Sequence, residues 1–211
     1  MPSPLNGVEP MEVDEVELVL VTAGSGEPSS SRMLGEKLTE AVVAALADSA
    51  TGAQVNHLEL RTLAADLATA LTEQQISPAL AAAKAAILAA DGVIAVTPVY
   101  NGSYAGLFKL FFDALDPRSL TGRPMLLAAT GGSPRHSLVV EHALLPLFYY
   151  FKADVSPLAV FAASTDWSDS AELDFRVARA ADAFAHRVLQ AHPAKQLPIQ
   201  PLLDYDDLLR G

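Results

Sequence analysis

Residues 16–22 read Val-Glu-Leu-Val-Leu-Val-Thr and run directly into Ala23-Gly24-Ser25-Gly26. A β-branched, nearly continuous apolar run stopped by two glycines predicts a buried strand that empties into a tight loop. Beyond that loop, Leu34, Leu38, Val42, Ala45 and Leu46 recur at helical spacing behind a serine-rich N-cap, which predicts a helix over Ser31–Leu46. The alternation then continues. Further strands are expected at Val55–Leu60, Gly92–Thr97, Arg123–Thr130 and Pro157–Ala163. A helix starts at Ser77-Pro78, with serine as cap and proline at the first turn, and Asp91-Gly92 ends it after Ala90. Others are expected from about Gly106 to Leu115, across Leu138–Tyr150 and over Leu173–Leu189, while Arg61–Leu71 fits either a short helix or an excursion from the sheet. Five strands separated by helices predict an α/β, three-layer domain with a parallel sheet. Parallel neighbours need crossovers, and strands this apolar need helices on both faces.

Composition narrows the function classes. The chain has 211 residues, no cysteine and a formal charge of −11. That length closes one ordinary core. Lack of cysteine excludes disulfide scaffolds, iron–sulfur clusters, thiolate zinc sites and cysteine nucleophiles. An acidic chain is a poor general ligand for phosphate backbones or anionic lipid, so neither a nucleic-acid nor a membrane partner is expected. Hydrophobic content of 51% with 7% aromatic residues fits a packed, aliphatic globule. The charge is concentrated at the ends: Glu9, Glu12, Asp14, Glu15 and Glu17 precede any base, and Asp204, Asp206 and Asp207 outnumber Arg210. Residues 1–15 therefore read as a disordered or extended acidic segment, 16–191 as the domain, and 192–211 as a C-terminal arm. The opening MPSPLNGVEP has neither a basic nor an apolar stretch of signal-peptide type, and the alanine-rich Pro78–Tyr100 carries Lys84 and Asp91. A cytoplasmic location without a bilayer span is the expectation.

In parallel α/β sheets ligands bind beyond the carboxyl ends of the strands, which directs attention to three loops. The first, Gly24 to Arg32, offers backbone N–H groups, the hydroxyls of Ser25, Ser29 and Ser31, and one arginine at a helix N-terminus. Such a place suits a phosphate monoester, and equally an ordinary serine cap. It is neither a Walker A nor a full dinucleotide motif. The second loop is Thr97-Pro98-Val99-Tyr100-Asn101-Gly102-Ser103-Tyr104. Gly102 and Ser103 let backbone amides approach the polar edge of a flat heteroaromatic ring, Tyr100 and Tyr104 offer stacking surface, and Asn101 offers both a donor and an acceptor. A rigid turn with core tyrosines fits the same residues. The third loop, Thr130-Gly131-Gly132-Ser133-Pro134-Arg135-His136, brings paired glycines and a histidine to the same end of the sheet. His136 and His142 stand six apart, wrong for one helical face, so no metal site is expected.

These motifs carry a resemblance. S-S-S-R (29–32), TPVYNGSYAGLFKLFFDAL (97–115) and ATGGSPRHSL (129–138) resemble the NAD(P)H-dependent FMN reductases of flavodoxin-like fold, over roughly residues 16–190. Within that family the chain is most similar to flavin reductases that supply reduced FMN to partner monooxygenases. The resemblance implies a five-stranded parallel sheet of order 2-1-3-4-5. It implies that Ser25, Ser29, Ser31 and Arg32 surround the FMN phosphate, and that Pro98, Val99, Tyr100, Asn101, Gly102 and Ser103 flank the isoalloxazine. Thr130, Gly131, Gly132 and Ser133 would line its other side, with His136 matching the family histidine. The chain departs from the family in Gly26-Glu27-Pro28, where relatives carry small polar residues; Glu27 must point away from a phosphate.

The activity implied is hydride transfer from NADPH or NADH to FMN, which needs no catalytic side chain if the cofactors supply the chemistry. Arg32 and Arg135 are the candidates to meet the 2′-phosphate of NADPH. The alternatives are an FMN-retaining quinone reductase, a flavodoxin-type electron carrier and a flavinless interaction module. Residues 106–115 are apolar nearly all round, which fits a deeply packed helix or a homodimer surface; the resemblance implies a dimer or a dimer of dimers.

Overall fold

A computed structural model describes residues 15–168 and 170–192. The acidic N-terminal segment through Asp14 and the C-terminal arm from Pro193 lie outside the described residues. Strand β1 (Glu15–Thr22) leads into α1 (Ser30–Ala47), and β2 (Gly52–Glu59) into a 3-10 turn at Leu60–Leu63 and then α2 (Ala64–Glu73). Helix α3 (Pro78–Ala89), β3 (Gly92–Tyr100), the two-residue β4 (Ser103–Tyr104) and α4 (Gly106–Asp113) follow. The chain continues through β5 (Pro124–Gly131), α5 (Leu145–Tyr150), β6 (Asp154–Val155), β7 (Val160–Ala163) and α6 (Ala171–Ala191).

The main strands lie in the order β2-β1-β3-β5-β6, with β7 also on β5, and all these pairings are parallel. This is the expected 2-1-3-4-5 order, with the fifth strand divided. Of the strand expected at Pro157–Ala163 only Val160–Ala163 forms, as β7; β6 precedes the expected range, and Pro157 to Ala159 leave the ladder between them, Pro157 having no N–H to give it. Three other boundaries differ from expectation. Strand β2 begins at Gly52, and Leu60 already belongs to the turn that opens α2, which settles the ambiguous 61–71 stretch as helical. Strand β3 runs through Thr97-Pro98 to Tyr100. The helix expected over Leu138–Tyr150 is a wide π-turn at Val140–Leu144 followed by α5. Pro146 explains that turn: it cannot donate to the carbonyl four residues back, and Leu145 N–H instead reaches Val140 O, five back.

Alternation of period two sends the strands' side chains to opposite faces. Val19, Val21, Ala95 and Leu127 pack with α2 to α5 around Phe108, Phe111, Phe112 and Phe148. Leu18, Leu20, Ile94 and Leu126 pack instead against α1 and α6, through Leu34, Leu38, Val177 and Phe184. Phe112 meets Phe148 edge-on at 4.8 Å between ring centres, so the short helices of the first face are joined by interlocked aromatics. Phe108, Phe111 and Phe112 are thus spent inside this chain. Of the apolar residues on α4 only Leu107 and Leu110 remain partly open.

Candidate functional site

Polar burial is concentrated at one end of the sheet. Among the described residues the buried polar side chains are Thr22, Ser31, Thr51, Thr97, Thr130 and Ser156, and four of these six stand at or beside the carboxyl ends of β1, β3 and β5. Each of these four, Thr22, Ser31, Thr97 and Thr130, is partnered, as burial demands. Thr22 Oγ1 lies 2.9 Å from His57 Nε2. Thr97 Oγ1 accepts the Ala105 N–H at 3.0 Å and donates to Pro98 O. The Ser31 and Thr130 hydroxyls bond to each other at 2.8 Å. These bonds fix the loops that leave the sheet there.

Between the loops lies a crevice of about 300 Å³. One wall is the loop from β1 to α1, with Ser25, Gly26, Pro28, Ser29 and Ser30 facing the space. Ser29 is the N-cap of α1, its Oγ accepting the Arg32 N–H at 3.2 Å. A Cβ at Gly24 would stand 2.0 Å from that Oγ, so only glycine lets the loop fold back onto the cap. The opposite wall is Pro98, Val99 and Tyr100, and Tyr100 Oη reaches across to Ser25 Oγ at 3.0 Å. The floor is Thr130, Gly131 and Gly132, and the far side is Ala162, Ser164 and Trp167. No charged residue is among the lining residues. The site therefore presents hydroxyls and the exposed N–H groups of an 18-residue helix to a ligand's anionic part, and flat, largely apolar surface to the rest.

Past Tyr100 the chain turns back through Asn101 and Gly102, with φ of 51° and 81°, and Tyr100 pairs with Ser103. This is a two-residue Asn-Gly hairpin of the kind that requires positive φ at both positions. Gly102, Ser103, Arg135, His136, Leu138 and His142 border a second cavity of about 350 Å³. It continues from the same two loops that form the wall and floor of the first.

Charges gather beside the crevice. The register that pairs Thr22 with Glu59 brings the end of β2 next to the first turn of α1. There Arg32 pairs with Glu36 at 2.7 Å and with Glu59 at 2.5 Å. Arg61 pairs with Glu59 at 2.9 Å and with Glu27 at 2.5 Å. The hydrogen bond from Arg61 holds the Glu59 carboxyl below its usual range, against an opposing effect of burial. Burial lowers His57 below its usual value.

Residues 18–168 match the sequence profile of the family described as NADPH-dependent FMN reductase. The chain belongs to that family. Among its relatives is the NADH-dependent FMN reductase SfnF of Pseudomonas fluorescens (strain Pf0-1), 39% identical over 154 residues, or 73% of this chain and 80% of the relative. An FMN reductase (NADPH) of Pseudomonas aeruginosa is 39% identical over 153 residues, 72% of this chain and 80% of the other. A solved oxidoreductase from Corynebacterium diphtheriae superposes with a TM-score of 0.81 at 42% identity, covering 83% of this chain and 98% of that one. The apo form of the NADH:FMN oxidoreductase EMOB superposes at 0.69 with 27% identity, covering 85% and 93%.

In this FMN reductase family member the structure collects Ser25, Ser29, Pro98, Val99, Tyr100, Thr130, Gly131 and Gly132 around the crevice, as the sequence reading grouped them. Ser31 lies beneath the floor, bonded to Thr130. Arg32 faces Glu36, one helical turn on, and Glu59, which the β1–β2 register brings to it, and is absent from the lining. Asn101 forms the hairpin turn, and Gly102, Ser103 and His136 border the second cavity. Ser133 Oγ lines neither cavity, although its carbonyl accepts the His136 N–H. Tyr104, half-buried, packs against Phe108 at 5.9 Å and lines neither cavity. Sequence reading missed Ala162, on β7, and Ser164 and Trp167, which follow it. The carboxyl-end rule that selected the other loops applies to that strand as well. Glu27 does point away from the crevice, toward Arg61. Among the described residues no helix is long and apolar enough to cross a membrane.

Proposed function

We propose that this chain is an NAD(P)H-dependent FMN reductase working at the 300 Å³ crevice. The observation that carries the reading is the crevice's division of labour: serine hydroxyls and a helix N-terminus at one end, uncharged loop surface at the other. Ser29, Ser25 and the backbone N–H groups of the loop on either side of Pro28 would hold the FMN phosphate, with the helix dipole favouring its charge. Pro98 to Tyr100 and Thr130 to Gly132 would grip the ring, whose polar edge meets backbone amides. Bound FMN supplies a ring that accepts hydride from a nicotinamide. The protein's part is to hold the two rings in contact and keep water out, which calls for no acid or base among its side chains.

Arg135, beside the second cavity, is the proposed contact for an NADPH 2′-phosphate. Unchanged NADPH/NADH preference in Arg135→Ala removes that assignment. We further propose a cytoplasmic protein, a domain spanning residues 16–191, and a homodimer or dimer of dimers that passes reduced flavin to a monooxygenase. Light scattering at micromolar concentration tests the assembly, and a monomer overturns it. The activity is tested by following nicotinamide oxidation with and without excess FMN. Turnover that scales with FMN is expected, whereas oxidation of neither nicotinamide returns the chain to an electron carrier. Tight retention of FMN with little turnover of added flavin would mark the quinone-reductase alternative.

A further inference from the structure

We infer that Arg61 is a positioning residue for the phosphate end of the crevice: it holds the Glu27 carboxylate away from a bound phosphate monoester. This rests on the FMN site proposed above.

Glu27 sits between Gly26 and Pro28, both of which line the crevice, yet its own side chain does not. Its Oε2 lies 2.5 Å from Arg61 Nη1. Arg61 stands on the 3-10 turn after β2 and is itself held by Glu59, Nε to Oε2 at 2.9 Å. Glu59, only 18% exposed, bridges Arg61 to Arg32, so the clamp on Glu27 is anchored in the sheet and in α1. The Glu27 side chain is 71% exposed. A pair that open to water contributes little to stability, so its consequence lies in where it puts the charge. The crevice lining carries no charge of either sign. A carboxylate released from Arg61 into that loop would be the nearest charge to a phosphate that is itself largely dianionic, and repulsion would act with little to offset it. The cluster of Glu27, Glu36 and Glu59 with Arg32 and Arg61 thus tolerates an acidic residue in an anion-binding loop by turning it outward.

The test compares FMN and riboflavin, which share the ring but not the phosphate, by quenching of flavin fluorescence at low salt. Arg61→Met is expected to weaken FMN binding about three- to tenfold and leave riboflavin within about twofold of wild type. Adding Glu27→Gln to it is expected to restore FMN binding, and raising salt to about 0.5 M to shrink the difference. Arg61→Gln, with a polar side chain of similar length, serves as the second variant should the first not fold. Equal FMN affinity in wild type and variants, equal loss for riboflavin, or failure of Glu27→Gln to rescue overturns the inference. Wild-type protein that binds neither flavin overturns the proposed site, and the role of Arg61 with it.

Discussion

The loop after β1 and the loop after β3 form facing walls of one crevice, but they are held in different ways. The first is packed onto its own helix. Gly24 lies against the Ser29 cap, Ser31 is bonded beneath the floor, and Glu27 is clamped by Arg61. The second is anchored at its base, where Thr97 takes the Ala105 N–H, and across the crevice by Tyr100, and then projects as a hairpin whose tip, Asn101-Gly102, is exposed. A Cβ at Gly102 would meet nothing within 4 Å. In the proposed site the closely packed wall would meet the small anion, which needs several donors fixed at once, and the more open wall the broad ring, which needs surface and close backbone.

The largest expected effect of breaking this contrast is at Gly24. Gly24→Ala must displace the Ser29 hydroxyl and lose the cap, at a cost of about 2 kcal/mol. A denaturant midpoint checks that cost, and a flavin titration should show FMN binding weakened about tenfold. Thr97→Val comes next. It leaves the buried Ala105 N–H without an acceptor and should cost about 1–2 kcal/mol, with a smaller change in FMN affinity. Gly102→Ala has open space but a positive φ, so about 1 kcal/mol is expected from the backbone alone. A loss of FMN affinity as large as that of Gly24→Ala would show that both walls are equally constrained.

The smallest effect is on pH dependence. Burial lowers the pKa of His57, so the unfolded chain takes up a proton at higher pH than the folded one. Stability is therefore level above the ordinary histidine value of 6.5 and declines as the pH falls through it. Glu59, lowered chiefly by its hydrogen bond from Arg61, adds a loss of the same sign below its ordinary 4.5. Melting temperatures from pH 7.5 to 5.5 should fall in wild type, and His57→Asn should flatten that slope.

What could be read from the chain follows the range of the forces involved. Strands β1, β3 and β5 were legible, because buried parallel strands have to be continuous and apolar, and VELVLVT and GVIAVT show this directly, whereas their order followed from the family resemblance. Most of the crevice was legible for a related reason: glycines and serines beside strand ends are local features. The Glu59 partner of Arg32 was not. Nothing local distinguishes an arginine that meets a phosphate from one that meets a carboxylate 27 residues later, and the β1–β2 register decides it. Ser164 and Trp167 were missed although the expected strand ends at Ala163, as β7 does, because no glycine marks the loop that follows it.

The bond between Ser31 and Thr130 joins residues 99 positions apart. On the ribosome, the serine loop and its helix emerge long before the strand that bears their partner. Closing so distant a contact is an entropic cost met only once β5 has docked beside β3. The crevice proposed for the flavin is thus a late product of synthesis: a nascent chain cut short before Thr130 carries the serine loop without the floor beneath it, so flavin capture there should begin only after the second half of the sheet has assembled.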